Sequence, residues 1–172
     1  MDVAALLTEM FDRIPPLAAR AVDGLPAETL TRAPGPGRNP IAWLVWHMGR
    51  GQDVQVADLA GGQQLWVTGD WADRMGLPAD PRDNGFGHTP EQVAAIRPPD
   101  GQVLLDYLGA VTDRSRAFVA GLTADDLDRV VDERWDPPVT MGVRLVSIAD
   151  DCVQHAGQAA YVRGLLETGA VP

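Results

Sequence analysis

Apolar residues recur every three or four positions in four long segments, the spacing of amphipathic α-helices. The first helix is predicted over residues 2–23, with Asp2 as its N-terminal cap and either a kink or a restart at Pro15 and Pro16. The other helices are predicted from Asn39 or Pro40 to about Leu59, from Asp100 to about Gly121, and from Met141 or Gly142 to about Glu167. Strand signals are nearly absent, so the pattern indicates an all-α four-helix bundle.

The connections between these helices are long and rich in Gly and Pro. Residues 60–98 are predicted to form a loop or lid with one short helical signal after Thr89, and Trp66 and Trp71 either line a pocket there or anchor the loop. A brief turn is predicted at Thr123, followed by loop as far as Pro138. Loops of this length inside a domain are more often functional than idle, and they also permit a crossover topology.

Composition limits the classes of function. We expect residues 1–172 to form a single soluble, cytoplasmic domain, because no apolar run could span a bilayer and the first residues lack the features of a secretory signal. A net charge of −10 argues against nucleic-acid and membrane partners. All 14 basic residues are Arg, so Schiff-base chemistry on Lys is excluded. The single cysteine, Cys152, cannot form an internal disulfide and is interpreted as a small core residue.

Two helices carry polar residues on apolar faces. In the last helix His155 lies within the apolar stripe and Asp151 one turn earlier at its edge, while Asp150 points outward. In the second helix His47 lies mid-face, with Gly51 one turn later leaving space above the imidazole. Buried polar groups without partners cost several kcal/mol, and a shared cation would satisfy all three side chains. Two imidazoles and one carboxylate suit zinc, nickel, cobalt or iron, with a coordination position left open.

Other interpretations of these residues stay open at this point. A His on an apolar face can be a hydrogen-bonded core residue, and Asp151 with His155 can be a simple pair. His88, in the segment GFGHT, is a weaker candidate ligand. Arg50 is either a solvated surface charge or a group that attracts an anionic cofactor or substrate. Gln154 and Gln158 flank His155, and either could orient a ligand or a bound water.

Two segments resemble motifs of the DinB-like superfamily. The segment NPIAWLVWHMGRGQD resembles the second-helix motif, where a His follows an apolar stretch, and SIADDCVQHAGQAAYVRGLL resembles the last-helix motif, where a ligand, three residues and a His precede a Gly-Gln step. A carboxylate at the middle ligand resembles the mycothiol-dependent maleylpyruvate isomerase branch, which has Glu there. Asp151 is one methylene shorter, so the metal must shift, or water must bridge, or affinity falls.

This resemblance implies a function. Members of the family with known activity use a low-molecular-weight thiol such as mycothiol or bacillithiol, and their bundles commonly pair, so a homodimer is an expectation. We therefore expect a metal-dependent thiol S-transferase or thiol-dependent isomerase acting on a small electrophile, with zinc as the first choice of metal and nickel or iron as alternatives. The implied metal ligands are His47, Asp151 and His155, and the candidate cofactor-binding residues are Arg50 and Gln158. A metal-water hydrolase and a non-catalytic bundle with a decayed metal site remain the alternatives.

Overall fold

The structure, a computed structural model, describes residues 1–170 and is mostly helical, which confirms the all-α fold. Its helices are α1 (Val3–Asp12), α2 (Ile14–Val22), α3 (Ala27–Leu30), α4 (Ile41–Leu59), α5 (Leu65–Thr68), α6 (Trp71–Met75), α7 (Pro90–Ala95), α8 (Gly101–Val119) and α9 (Met141–Thr168). The long helices lie where the apolar spacing predicts them. None of the helices within residues 1–170 combines the length and apolar character needed to cross a bilayer.

The ends of the long helices follow local capping chemistry. The Asp2 carboxylate accepts a hydrogen bond from the backbone N–H of Ala5, as expected of an N-terminal cap. Pro15 and Pro16 lie in the first turn of α2, where a missing N–H costs nothing, so the chain restarts a helix there. Gly169 ends α9 in the left-handed conformation with φ 65°.

The bundle has a crossover arrangement. Both α4 and the α1–α2 pair pack against α8 and α9, which places α4 diagonally opposite α1–α2. The α1–α2 pair and α4 follow one another in sequence but are not packed side by side. The long connections between the helices permit this arrangement. The interior between them is one hydrophobic core, whose fully buried members include Phe11, Ile14, Val45, Leu108 and Leu145.

The connections contain more regular structure than the sequence predicts. The turn predicted at Thr123 exists as a 3₁₀ helix over Asp125–Asp128. The short helix expected after Thr89 is α7, which begins with a capping box at that residue. The prediction of loop as far as Pro138 was wrong, because β1 (Val130–Asp132) pairs antiparallel with β2 (Val139–Thr140). The helices α3, α5 and α6 were also not predicted. Elements of two to five residues are too short to show a hydrophobic period.

A buried carboxylate on α4 anchors the start of the 60–98 segment. Asp53 is almost completely buried and accepts hydrogen bonds from the backbone N–H groups of Leu65 at 2.9 Å and Trp66 at 2.8 Å. The hydroxyl of Tyr107 donates to the same carboxylate at 2.9 Å. Trp66 is itself buried, and its indole N–H donates to the carbonyl of Pro78 at 3.1 Å. Trp66 therefore anchors this segment to the core.

Arg50, one turn before Asp53, anchors the later part of the same segment. Its side chain is 0% exposed, so the interpretation as a solvated surface charge was wrong. The guanidinium donates to the carbonyl of Asp83 at 2.9 Å, to Gln64 at 3.0 Å and to the Tyr107 hydroxyl at 3.2 Å. Because each of its three nitrogens donates to a protein oxygen, this geometry gives no support to the predicted contact of Arg50 with a cofactor.

Replacing Asp53 tests this anchoring. We expect Asp53→Ala to lower the free energy of unfolding by about 3–5 kcal/mol, because the Arg50 charge would stay buried without its partner. Asp58→Ala, an exposed position on the same helix, should change it by no more than about 0.5 kcal/mol. Urea denaturation of both variants measures the difference. Equal unfolding midpoints for Asp53→Ala and the unchanged protein would contradict the role assigned to this carboxylate.

Candidate metal centre

The packing of α4 against α9 brings together the three side chains predicted as metal ligands. His47, Asp151 and His155 each offer one ligand atom, and these atoms all lie within 4.8 Å of one another. The Nε2 atom of His47 is 3.7 Å from one carboxylate oxygen of Asp151, and the Nε2 atom of His155 is 3.4 Å from the other. Donors that share a tetrahedral zinc ion lie about 3.4 Å apart, so both carboxylate–imidazole separations are close to those of a zinc site.

Both imidazoles are oriented by a hydrogen bond at the nitrogen that faces away from the cluster. His47 Nδ1 contacts the backbone carbonyl of Asn84, and His155 Nδ1 contacts the side-chain amide oxygen of Gln158 at 2.9 Å. Because a carbonyl oxygen can only accept, each Nδ1 carries a proton, and in the neutral rings each Nε2 presents a lone pair to the cluster. This is the arrangement typical of metal-binding histidines.

The side chain of Asp151, although one methylene shorter than Glu, brings its carboxylate to both imidazoles. Its two oxygens lie between the Nε2 atoms of His47 and His155. This carboxylate borders the space that Gly51 leaves above His47, since a Cβ atom at position 51 would be 3.8 Å from its Oδ2. Asp150, in contrast, is exposed and accepts a hydrogen bond from Gln154 at 2.7 Å, outside the cluster.

The three groups differ in protonation. Burial lowers the pKa of His47, while the hydrogen bond with Asp151 raises the pKa of His155 against the opposing effect of burial. Burial acts to raise the pKa of Asp151, but the hydrogen bond to His155 and the charges of both imidazoles outweigh it, so this pKa is lowered. His47 is therefore neutral and Asp151 ionised near neutral pH, and their facing atoms are both acceptors. A cation between them would remove this repulsion, which favours a metal site over a simple hydrogen-bonded pair.

One wall of the cluster is aromatic. Trp43 stacks on His47 with 4.8 Å between ring centroids and an angle of 12° between the rings. Its indole N–H donates to His88 Nδ1 at 3.1 Å, and His88 Nε2 contacts a carboxylate oxygen of Asp83 at 2.7 Å. Both nitrogens of His88 are thus engaged, one by Trp43 of α4 and the other by Asp83 of the 60–98 segment. His88, the weaker candidate ligand, supports the wall of the cluster and does not join it.

The backbone around Asn84 and Gly85 is a part of the site that sequence reasoning missed. Gly85 has φ +92°, and a Cβ atom there would lie 3.0 Å from His47 Nδ1 and from the rings of Trp43 and Trp46. Only glycine permits both this conformation and this close approach. The glycines of GFGHT were the available signal, since they allow a backbone carbonyl to approach an imidazole.

The comparisons with known proteins agree with this fold. Residues 10–159 match the family model described as the DinB superfamily. The chain belongs to the DinB superfamily. A solved structure described as the conserved protein of locus from Enterococcus faecalis is 33% identical with a TM-score of 0.90, over 98% of this chain and 99% of that one. No curated protein matches the chain. DinB-superfamily members often bind a divalent metal, which the donor set of this cluster suits.

Gln158 offers a test of how His155 is oriented in this DinB-superfamily protein. We expect Gln158→Leu to weaken zinc binding by about 10–100-fold, because His155 would lose the acceptor that fixes its ring. Gln154→Leu, which removes an amide bonded only to Asp150, should bind zinc as the unchanged protein does. Competition titrations with a chromophoric chelator measure both affinities. Equal affinities for the two variants would show that Gln158 does not support the site.

The pH dependence of zinc affinity tests His155 as a ligand. Zinc binds the neutral imidazole, and the pKa of His155 lies above 6.5, so binding must displace a proton below that pKa. We expect the affinity to fall as pH drops below this pKa, with a slope that approaches tenfold for each pH unit. Asp151 stays ionised over this range because its pKa is lowered. An affinity that is constant between pH 6 and 8 would exclude His155 from the ligand set.

Proposed function

We propose that this DinB-superfamily chain is a metal-dependent thiol S-transferase or thiol-dependent isomerase that uses a low-molecular-weight thiol on a small electrophile. The observation that carries this proposal is a cluster of three ligands with a side open to solvent. The Asp151 side chain is 42% exposed, so a small molecule can approach the cluster from that side. Three protein ligands with an open position are typical of catalytic metal sites, whereas structural sites are closed.

The protein's own thiol is unsuited to this chemistry. Cys152 follows Asp151 in sequence but is buried, and its Sγ lies 3.7 Å from the carbonyl of Met48. Burial raises the pKa of this thiol well above its usual value, so the reactive thiolate form is not populated at neutral pH. A sulfur nucleophile at the cluster therefore has to come from a small molecule.

The side chains around the cluster have defined roles in this proposal. A divalent cation held by His47, Asp151 and His155 would lower the pKa of a coordinated thiol and so supply a thiolate at neutral pH. Asp151 contributes the one negative charge of the ligand set, and the bonds at the two Nδ1 atoms hold the imidazoles in place before any ligand arrives. Trp43 covers His47 and keeps water from that face.

The reaction requires no further co-reactant. In a transfer, the electron pair of the sulfur forms the carbon–sulfur bond, the thiol proton goes to solvent, and the leaving group of the electrophile departs with its bonding pair. In an isomerisation, the same bond forms and then breaks, and the thiol is released unchanged. We favour a mycothiol-like thiol because the carboxylate ligand Asp151 is similar to the Glu of the maleylpyruvate isomerase branch.

A conjugation assay tests this function. Zinc-loaded protein with millimolar mycothiol or bacillithiol should conjugate chlorodinitrobenzene, followed by absorbance, and His155→Ala should reduce the rate to that of the uncatalysed reaction. Cys152→Ala should retain the full rate, because its thiol is buried away from solvent.

Other outcomes identify the alternatives. No turnover with either thiol by fully metallated protein would count against the proposal. Hydrolysis of an activated ester without thiol would indicate a metal-water hydrolase. Purified protein that neither contains zinc nor binds it would indicate a non-catalytic bundle.

A further inference from the structure

The outer face of α9 is apolar although solvent reaches it. Four large apolar side chains of this helix are between 44% and 69% exposed: Val143, Val146, Val153 and Tyr161. Among the exposed positions of α9 from Val143 to Gly164, Asp150 is the single charged one, and its carboxylate accepts a hydrogen bond from Gln154. Charged residues make up 22% of the chain, so this face is poor in charge. Exposed apolar surface with little charge is typical of a face that a protein partner covers.

The centre of this face has a heptad spacing. Steps of four and three residues alternate along it, through Val146, Asp150, Val153, Gly157, Ala160 and Gly164. At 100° per residue, these six positions fall within about 80° of one another around the helix. We call them the α9 stripe. Its first three members have larger side chains, whereas its last three are two glycines and an alanine.

The two halves of the α9 stripe complement each other in an antiparallel pair of helices. With a two-fold axis at the level of His155, each larger residue of one copy faces a small residue of the other: Val146 with Gly164, Asp150 with Ala160, and Val153 with Gly157. The small residues allow the two backbones to approach closely.

Charge also favours the antiparallel arrangement. The two Asp150 side chains would be ten residues apart along the pair, about 15 Å, which exceeds the Debye length of about 10 Å. In a parallel pair the same two carboxylates would lie side by side and repel each other. The glycines of a parallel pair would also face each other, which would leave a gap.

We propose that the α9 stripe is the interface of a homodimer in which the two α9 helices pack antiparallel. A two-fold dimer uses the same patch on both copies, and the α9 stripe is complementary to itself. Asp151 and His155 each lie two residues before a member of the stripe, about 200° around the helix, so the dimer leaves the metal cluster accessible. This interface depends neither on a bound metal nor on the proposed thiol chemistry.

Matched variants test the α9 stripe by sedimentation equilibrium of the metal-free chain. The unchanged protein should be dimeric, and Val153→Glu should weaken dimerisation by about 100-fold, because the interface would bury two carboxylates without partners. Val67→Glu makes the same change at a position of similar exposure, 43%, on α5, and should dimerise as the unchanged protein does.

A second variant keeps the test independent of the added charge. Gly157→Leu should also weaken dimerisation by at least about tenfold, because the new side chain occupies the space for Val153 of the other copy. Among residues 1–170, a Cβ atom at Gly157 would meet no atom within 4 Å, so the monomer should fold unchanged. Circular dichroism checks the fold of each variant.

Single cysteines distinguish the antiparallel pair from a parallel one. Val146→Cys and Gly164→Cys are oxidised with diamide, each alone and then mixed after subunit exchange. The mixture should form a disulfide-linked dimer, because these positions face each other across the interface. Each variant alone should stay unlinked, because its two cysteines would be about 27 Å apart along the antiparallel pair. Cys152 is buried in both variants and should not react.

Each other outcome overturns the proposal. A chain that stays monomeric at millimolar concentration has no second copy on this face. A dimer that Val153→Glu and Gly157→Leu leave unchanged uses another surface. Self-linking of Gly164→Cys would mean that the helices pack parallel. No thiol substrate or metal enters these measurements, so a failed conjugation assay does not affect them.

Discussion

The buried guanidinium of Arg50 is the constraint on which the site depends. A charge inside a helical bundle is tolerated only when oxygens surround it, and here they come from α4, from α8 and from the segment between them. The carbonyl of Asp83 is one of these oxygens, and the next residue, Asn84, accepts the hydrogen bond of His47 Nδ1. Adjacent carbonyls of one loop thus hydrogen-bond the core cation and orient a candidate metal ligand.

The adjacent carbonyls of Asp83 and Asn84 explain why the long 60–98 segment is part of the site. Gly85 brings the backbone within contact of His47, and His88 holds Trp43 from the other side. Two of the candidate ligands lie on α9, a single continuous helix, whereas His47 is held on one side by a loop. Loss of the hydrogen bonds of Arg50 would therefore disturb the orientation of His47 before that of Asp151 or His155, because the loop joins Arg50 to His47.

Helical spacing was enough to predict the long helices and the faces on which His47, Asp151 and His155 lie, because the period of an α-helix determines which side chains share a face. Helical spacing could not predict which distant residues pack against each helix face. Neither interpretation of Arg50, as a surface charge or as an anion-attracting group, included its burial, because most of the oxygens that surround it come from distant positions. The Asn84 carbonyl was missed because a backbone acceptor has no side-chain signature. The short strands β1 and β2 depend on pairing between separate segments, which period alone does not show.

The charge balance of the cluster favours reaction with an anionic nucleophile. Two neutral imidazoles and one carboxylate would leave a divalent cation with one net positive charge, whereas a second carboxylate would cancel it. Asp151 has a further effect, because without a cation it holds a proton on His155, so cation and proton compete for the same nitrogen. A site with one net positive charge in a chain of charge −10 would draw anionic reactants to one place on a surface that otherwise repels them.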